Sequence, residues 1–357
     1  MTAFSDIYFM RFLLITMMVV CSGFLQAGEG PVRVYILAGQ SNMEGKAQNK
    51  LLEHQATAPE TKEHFAHLRK DGKWIEREDV FIKYFGRHGK LTIGYGSQDR
   101  TGVELEFGNV MGNHLEEPVL LIKTAWGGHS LFRNFRPPSA GLPSKEALEA
   151  ELENARKAVQ RNNEKHKRDN PMPTMEEIQS KYGLSYREML REVKETLKNR
   201  DALFPELKGR EMQVAGFVWF QGWNDQYNGA EKEYAANMGH LIRDLRKDLG
   251  VPGLPVVIGV MGQNGSKEAK GPMKMIQEAQ LGMEEMEEFE GNVKAVRTDV
   301  LVDRAAEALY PDWKKDTTAW EKVGSDHGYH YLGSAIWFQR MGGAFGKAML
   351  DLSRGQQ

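Results

Sequence analysis

The chain has 357 residues, and its 47 lysines and arginines nearly balance 49 aspartates and glutamates, for a formal net charge of −2. That balance leaves no electrostatic footprint for a nucleic-acid partner. The one cysteine, Cys21, lies in the N-terminal stretch, so a chain processed beyond it has no disulfide, no thiolate nucleophile and no cysteine-based metal site.

Arg11 precedes nine uncharged residues, Phe12 to Val20, and a small residue, Ala27, stands before a polar segment. This order describes a secretory signal over residues 1–27 and a secreted or periplasmic product with no stable membrane association once it is removed. Even extended to Leu25 the run is short for a spanning helix. An uncleaved anchor is the alternative, and Val20 fits a lipoprotein site before Cys21 poorly.

Val34 to Ala38 is a short apolar run broken at Gly39. It predicts a parallel strand covered by helices on both faces. Ser41 follows at the carboxyl end, where open α/β sheets place their chemistry. Such a serine has an exposed hydroxyl and a nearby backbone N–H, the needs of a nucleophile and its oxyanion. The plainer readings are a helix N-cap or a phosphate loop. The glycines of a phosphate loop are missing, and so is a Gly-x-Ser-x-Gly elbow, since position 43 is Met.

Glu44 to Asp79 reads as polar and irregular, with His64-x-x-His67 as exposed surface for want of a third ligand. Val80–Tyr84 predicts the second strand, and Gly86 to Gly102 a glycine-rich loop. Val103, Phe107, Val110 and Met111 recur at helical spacing, which puts Gly102 just before a helix. Pro118–Thr124 predicts a third strand, ending in Ala125-Trp-Gly-Gly-His129, where two glycines suit close approach of a ligand. His129 has no acid at a supporting spacing. From Pro137 to about Arg210 the chain is charged and poor in strand signals. Its first part reads as a solvated helical excursion, and Tyr186, Met189, Leu190, Val193 and Leu197 as a helix of the main fold. Gln213–Gln221 is a further strand and delivers Asn224 to the same edge as Ser41. Asn224 there serves as a cap, a turn residue or an amide donor to an oxyanion. Pro255–Val260 is the fifth strand, and Val293–Val302 reads as a short edge strand. His330 opens the closing helix with Asp326 four residues upstream, a pattern that suits a general base.

Four blocks together resemble the SGNH (GDSL-like) hydrolases, and within them the sialate O-acetylesterase and acetylxylan esterase branch of the carbohydrate esterases. Gly39-Gln-Ser-Asn-Met43 is similar to the first block and carries the nucleophile onto Ser41. Thr101-Gly-Val-Glu-Leu-Glu-Phe-Gly108 is similar to the second, whose glycine N–H lines the oxyanion hole; this falls on Gly102, with Gly108 as second choice. Gly222-Trp-Asn-Asp225 matches the third and carries the amide donor onto Asn224. Tyr329-His-Tyr-Leu-Gly333 is similar to the last and carries the base onto His330. The resemblance implies a three-layer α/β/α fold with a five-stranded, mainly parallel, flavodoxin-like sheet over residues 28–357, interrupted by a charged helical insertion at about 139–180. There is one departure. The family's acid stands three residues before the histidine, a slot held here by His327. Either Asp326 completes a triad from four residues away, or a backbone carbonyl orients the histidine and the machinery is a dyad.

The implied activity is carboxylic ester hydrolysis, the removal of O-acetyl groups from carbohydrate by a secreted serine esterase. The oxyanion would meet the N–H groups of Ser41 and Gly102 and the amide of Asn224, with no metal or cofactor. Expected substrate contacts are Gln40 beside the nucleophile, Trp126 and Trp223 as stacking faces, and Arg133 toward an acidic sugar. Phe132, Arg136 and Tyr227 lie near the same strand ends. Two other functions stay open: a catalytically impaired carbohydrate-binding protein on this scaffold, and an esterase for small non-sugar esters.

Overall fold

Side chains of Val32–Gly39 (β1) alternate between two apolar cores: Val34, Ile36 and Ala38 enter one, Tyr35 and Leu37 the other. The continuous apolar run arises because helices cover both faces of the sheet. The computed structural model describes residues 30–355. The expected signal at 1–27, with Cys21, lies outside the described residues. Among the described residues no helix is long and apolar enough to cross a membrane.

The main sheet joins β1 to Val80–Tyr84 (β2), Arg87–Lys90 (β3), Val119–Ala125 (β4), Met212–Phe220 (β5), Val256–Val260 (β6) and Val293–Arg297 (β7), in the order β7-β6-β5-β1-β4-β2-β3. All neighbours pair in parallel except the edge hairpin β2–β3. The layers are those expected, but the sheet has seven strands rather than five. Both additional strands are edges. β7 is the stretch read as a short edge strand. β3 falls in the segment expected to be a loop: Arg87-His-Gly-Lys90 has no apolar alternation to give it away, because its order comes from the ladder to β2 rather than from burial.

On one face of the sheet pack Glu104–His114 (α2), through Phe107, Val110 and Met111, and Ala335–Arg354 (α7), through Trp337, Met341, Phe345 and Met349. On the other pack Leu184–Lys198 (α4), through Tyr186, Met189 and Val193, Tyr234–Leu249 (α5) and Gly271–Gly282 (α6). The helix Lys145–His166 (α3) stands apart. Of its 22 residues only Leu148 is buried, in a small cluster with Ile178 and Tyr182. Local devices hold it: Ser144 Oγ accepts the Ala147 N–H at 3.2 Å, and Lys157 pairs with Glu153 at 2.5 Å.

The register of the central strands sets up the site. Gly39 of β1 stands level with Ala125 of β4 and with Phe220 of β5. Three loops therefore leave the sheet from one line, at the carboxyl edge where open α/β sheets bind ligands.

Candidate active site

Ser41 opens a single helical turn, Ser41–Glu44 (α1), directly after β1. Gly39 makes the exit possible. Its φ is +155°, and a Cβ there would stand 2.1 Å from the Phe220 carbonyl oxygen. As the first residue of its turn, Ser41 has a backbone N–H with no partner inside the helix. The next residue ties this turn to the other end of the chain: Asn42 Nδ2 donates to the Tyr329 carbonyl at 3.1 Å, one residue before His330.

The loop after β5 brings Asn224 to the same place. Its Nδ2 donates to the Gly128 carbonyl at 2.6 Å, and its Oδ1 accepts from Gln40 Nε2 at 3.4 Å. The amide is thereby fixed while one of its hydrogens stays free to donate. The buried Gln40 Oε1 accepts from Gln221 Nε2 at 3.2 Å and from the N–H groups of Gly222 and Asn224 at 3.3 Å each. Asp225, fully buried, accepts the Leu131 and Phe132 N–H groups at 2.8 and 2.7 Å and Gln221 Nε2 at 2.6 Å. Burial pushes its carboxyl up to about 6, against the pull of those three donors.

His330 reaches the site on the loop before α7. Its Nδ1 lies 3.1 Å from Asp326 Oδ1, within ion-pair distance but without a formed hydrogen bond. Such looseness is usual before a substrate tightens the site. Asp326 also accepts the His327 N–H at 2.7 Å and pairs with Arg100. Burial works against its charge, but the His330 ring, the His327 N–H and the Arg100 guanidinium together hold its carboxyl well below the usual range. The loop is strained just past the histidine, where Tyr331 and Leu332 take φ of +51° and +62°. Tyr331 is pinned there by its hydroxyl, which accepts the Gly262 N–H at 2.9 Å and lies 2.8 Å from Thr298 Oγ1.

A cleft of about 490 Å³ joins these groups. Ser41, Asn224 and His330 line it with Gly127, Gly128 and Lys46, and Trp223, Tyr227 and Tyr329 form an aromatic wall. Tyr227 and Tyr329 are 53% and 41% exposed. Lys46 Nζ is met by Glu44 at 2.6 Å and Ser97 Oγ at 2.7 Å, and Glu44 Oε1 accepts the Gly127 N–H at 2.7 Å. Burial of the Glu44 carboxyl is outweighed by Lys46 and these donors, so it titrates below its ordinary value. Behind the turn, the fully buried Lys123 donates to the carbonyls of Tyr95 and Glu44 at 2.6 and 2.7 Å and to Glu104 Oε2 at 2.9 Å.

Several expected site residues fall elsewhere. The N–H of Gly102 is spent on Glu104 Oε1 at 2.8 Å, and Gly102 lines a separate apolar cavity with Leu52 and Phe65. A Cβ on Gly102 would stand 2.5 Å from Gly45 Cα, so this glycine supports the nucleophile turn by close packing. Gly108 is buried in α2 against Leu91 and Leu121. Gln40 lines the cleft, but its side chain positions Asn224. Trp126 is stacked on His129 and packed on Phe85 and Phe135. Arg133 pairs with Glu151 of α3, and Arg136 is buried against Glu233. His129 Nδ1 meets Ser185 Oγ at 2.7 Å, and His67 meets Glu106 at 2.9 Å. Among the described residues no cluster of metal-ligating side chains occurs. Conversely, Asn42 and Lys46 received no role from the sequence. The pair Gly127-Gly128 was visible as a point of close approach, and the β1–β4 register, which sets Gly39 beside Ala125, brings its loop to the cleft that Ser41 lines.

The sequence pattern described as Carbohydrate esterase, sialic acid-specific acetylesterase matches residues 31–167 and 173–308. It takes in Ser41, Gly127, Gly128 and Asn224 and ends before Asp326 and His330. The Probable carbohydrate esterase At4g34215 of Arabidopsis thaliana is 33% identical over 72 residues, 20% of this chain and 26% of that protein, so the aligned stretch spans about a quarter of the relative. The X-ray structure of that Arabidopsis protein is similar in fold, with a TM-score of 0.51 at 17% identity over 90% of this chain and 98% of that one. The structure of NanS gives a TM-score of 0.48 at 14% identity over 91% of this chain and 99% of that one. With the pattern covering most of its length, this chain belongs to the carbohydrate esterase, sialic acid-specific acetylesterase family.

Proposed function

We propose that this chain is a secreted serine esterase that removes O-acetyl groups from carbohydrate through an acyl-serine intermediate. The observation that carries the reading is the shared cleft: a serine at a strand end, an imidazole backed by a carboxylate, and a fixed amide line one cavity. With Nδ1 turned to Asp326, Nε2 of His330 is the nitrogen left to take the Ser41 proton as Oγ attacks the acetyl carbonyl. The oxyanion is met by the Ser41 N–H and the free hydrogen of Asn224 Nδ2. Gly128, which lines the same cleft, offers its N–H as the third donor in place of Gly102. Each such donor is worth about 3 kcal/mol of barrier. His330 returns its proton to the sugar oxygen as the acyl C–O bond breaks. It then deprotonates the water that attacks the acetyl-serine, releasing acetate and restoring the serine. The aromatic wall of Trp223, Tyr227 and Tyr329 suits stacking against a pyranose face. Lys46, already met by Glu44, is the cation lining the cleft. The signal pattern at 1–27 supports export.

The test is acetate release from p-nitrophenyl acetate, an acetylated xylo-oligosaccharide and an O-acetylated sialic acid, with Ser41→Ala and His330→Ala alongside. Turnover lost in both variants is the expected result. Full activity in Ser41→Ala, or glycan binding by the wild type with neither turnover nor labelling of Ser41 by a fluorophosphonate, would overturn the proposal.

A further inference from the structure

The Asp326 carboxylate divides its work. Its Oδ1 serves the histidine side, 3.1 Å from His330 Nδ1 and 2.7 Å from the His327 nitrogen. Its Oδ2 is taken by Arg100, a residue 226 positions away, whose Nη1 also donates to the Lys46 carbonyl at 2.9 Å. Arg100 belongs to a two-residue strand, Arg100–Thr101, paired antiparallel with Ala47–Gln48 just beyond the nucleophile turn. Gln48, opposite Arg100, donates its N–H to Ser325 Oγ at 3.2 Å. The ribbon therefore grips Ser325 and Asp326 at adjacent points and is itself rooted in the segment that carries Ser41.

This arrangement answers a geometric need. An acid four residues before the histidine sits on a longer turn, and the backbone just past His330 is strained. Nothing within that turn holds Oδ2. We propose that Arg100 is a positioning residue of the acid–base pair: it fixes the Asp326 carboxylate against His330 and sets how much of that negative charge the imidazole feels. The inference rests on the esterase reading above. The charged and titratable groups around the pair are Arg100 from the ribbon, Lys46 in the same cleft with Glu44 upon it, His327 and Tyr329 from the histidine's own loop, and Tyr310, whose hydroxyl accepts the Gly328 N–H at 2.9 Å. Lys46 and Glu44 offset each other. Arg100 is thus the cation whose loss changes the charge balance at His330.

The experiment follows kcat and KM for p-nitrophenyl acetate across pH in Arg100→Gln, Arg100→Lys, Asp326→Asn and the double variants. In Arg100→Gln, kcat should fall about 10- to 100-fold with KM within about twofold. The acid limb of kcat/KM should move up by about one pH unit, because the imidazolium loses a repelling neighbour. Arg100→Lys should keep the limb at its wild-type position and recover part of kcat, separating charge from geometry. In the Asp326→Asn background, Arg100→Gln should cost far less than in the wild type, since only its hydrogen bond to the Lys46 carbonyl remains to be lost. An unmoved limb with kcat within twofold of wild type, or an equal cost with and without Asp326, overturns the proposal. If Arg100→Gln does not fold, Arg100→Lys in the two backgrounds decides by the same cycle. Retained activity in Ser41→Ala would instead sink the esterase reading, so the two failures are distinguishable.

Discussion

The rim around Ser41 and the excursion around α3 are held together on opposite terms. In the rim, polar side chains reach partners far along the chain: Asn42 to Tyr329, Gln40 to the 221–224 loop, Arg100 to Asp326. In α3 most meet neighbours a turn away, as Lys145 meets Glu149 and Lys157 meets Glu153, or stand in solvent, and Glu151 ties the helix back, to Arg133 and the Tyr182 hydroxyl. A buried long-range hydrogen bond is expensive to leave half made, about 1–3 kcal/mol, whereas an exposed helical pair contributes a few tenths. Precision in this molecule is therefore concentrated at one edge of the sheet, and the excursion tolerates change.

The contrast can be broken most directly at the nucleophile. Ser41→Ala and His330→Ala should each lower acetate release by about 10⁴-fold or more with an unchanged circular dichroism spectrum. Asn42→Ala removes the direct link between the serine turn and the histidine loop. It should lower kcat about 10-fold with little change in KM, read from steady-state kinetics on p-nitrophenyl acetate. Gly102→Ala forces a Cβ within 2.5 Å of Gly45 Cα. It should destabilise the fold by about 1–3 kcal/mol, seen as a lower midpoint in urea.

A pH experiment sharpens the contrast further. Burial raises Asp225 to about 6, so between pH ~4, its usual value, and about 6 the native state keeps a proton that the unfolded chain releases. On its own account Asp225 makes stability fall as pH rises through that window, by roughly 3 kcal/mol at most. Asp225→Asn should flatten that part of the stability-against-pH curve; a slope equal to wild type would contradict the assignment. The smallest effect belongs to the excursion: Lys157→Ala should leave both the thermal midpoint and kcat where they are.

The sheet was readable because strands buried on both faces carry their apolar runs openly, and Ser41 and Asn224 follow from where two such runs stop. What was not readable depends on neighbours. Gly102 does precede a helix, as its spacing implied, but its N–H is consumed two residues later by Glu104. The glycines that line the cleft, Gly127 and Gly128, read as a point of close approach, but only the pairing of β4 with β1 brings their loop beside that of Ser41. Arg133 near a strand end reads as a ligand contact until Glu151 arrives from α3 to take it. Asp326 raised the same difficulty. Spacing alone left triad and dyad open, since the carboxylate's position depends on Arg100, from a stretch read as the end of a glycine-rich loop.

Lys123 and Glu104 carry one more consequence. A fully enclosed pair of opposite charges contributes less to durability than a well-packed apolar pair of the same bulk. Replacing both with Met and Leu removes that burden but orphans the Gly102 N–H and the Tyr95 and Glu44 carbonyls, at about 1–3 kcal/mol each, so no gain in heat tolerance is left. It would also strip the ammonium from the Glu44 and Tyr95 carbonyls and let the end of the serine turn drift. Neither heat tolerance nor turnover would gain at this spot, and a hardened variant should be sought elsewhere in the chain.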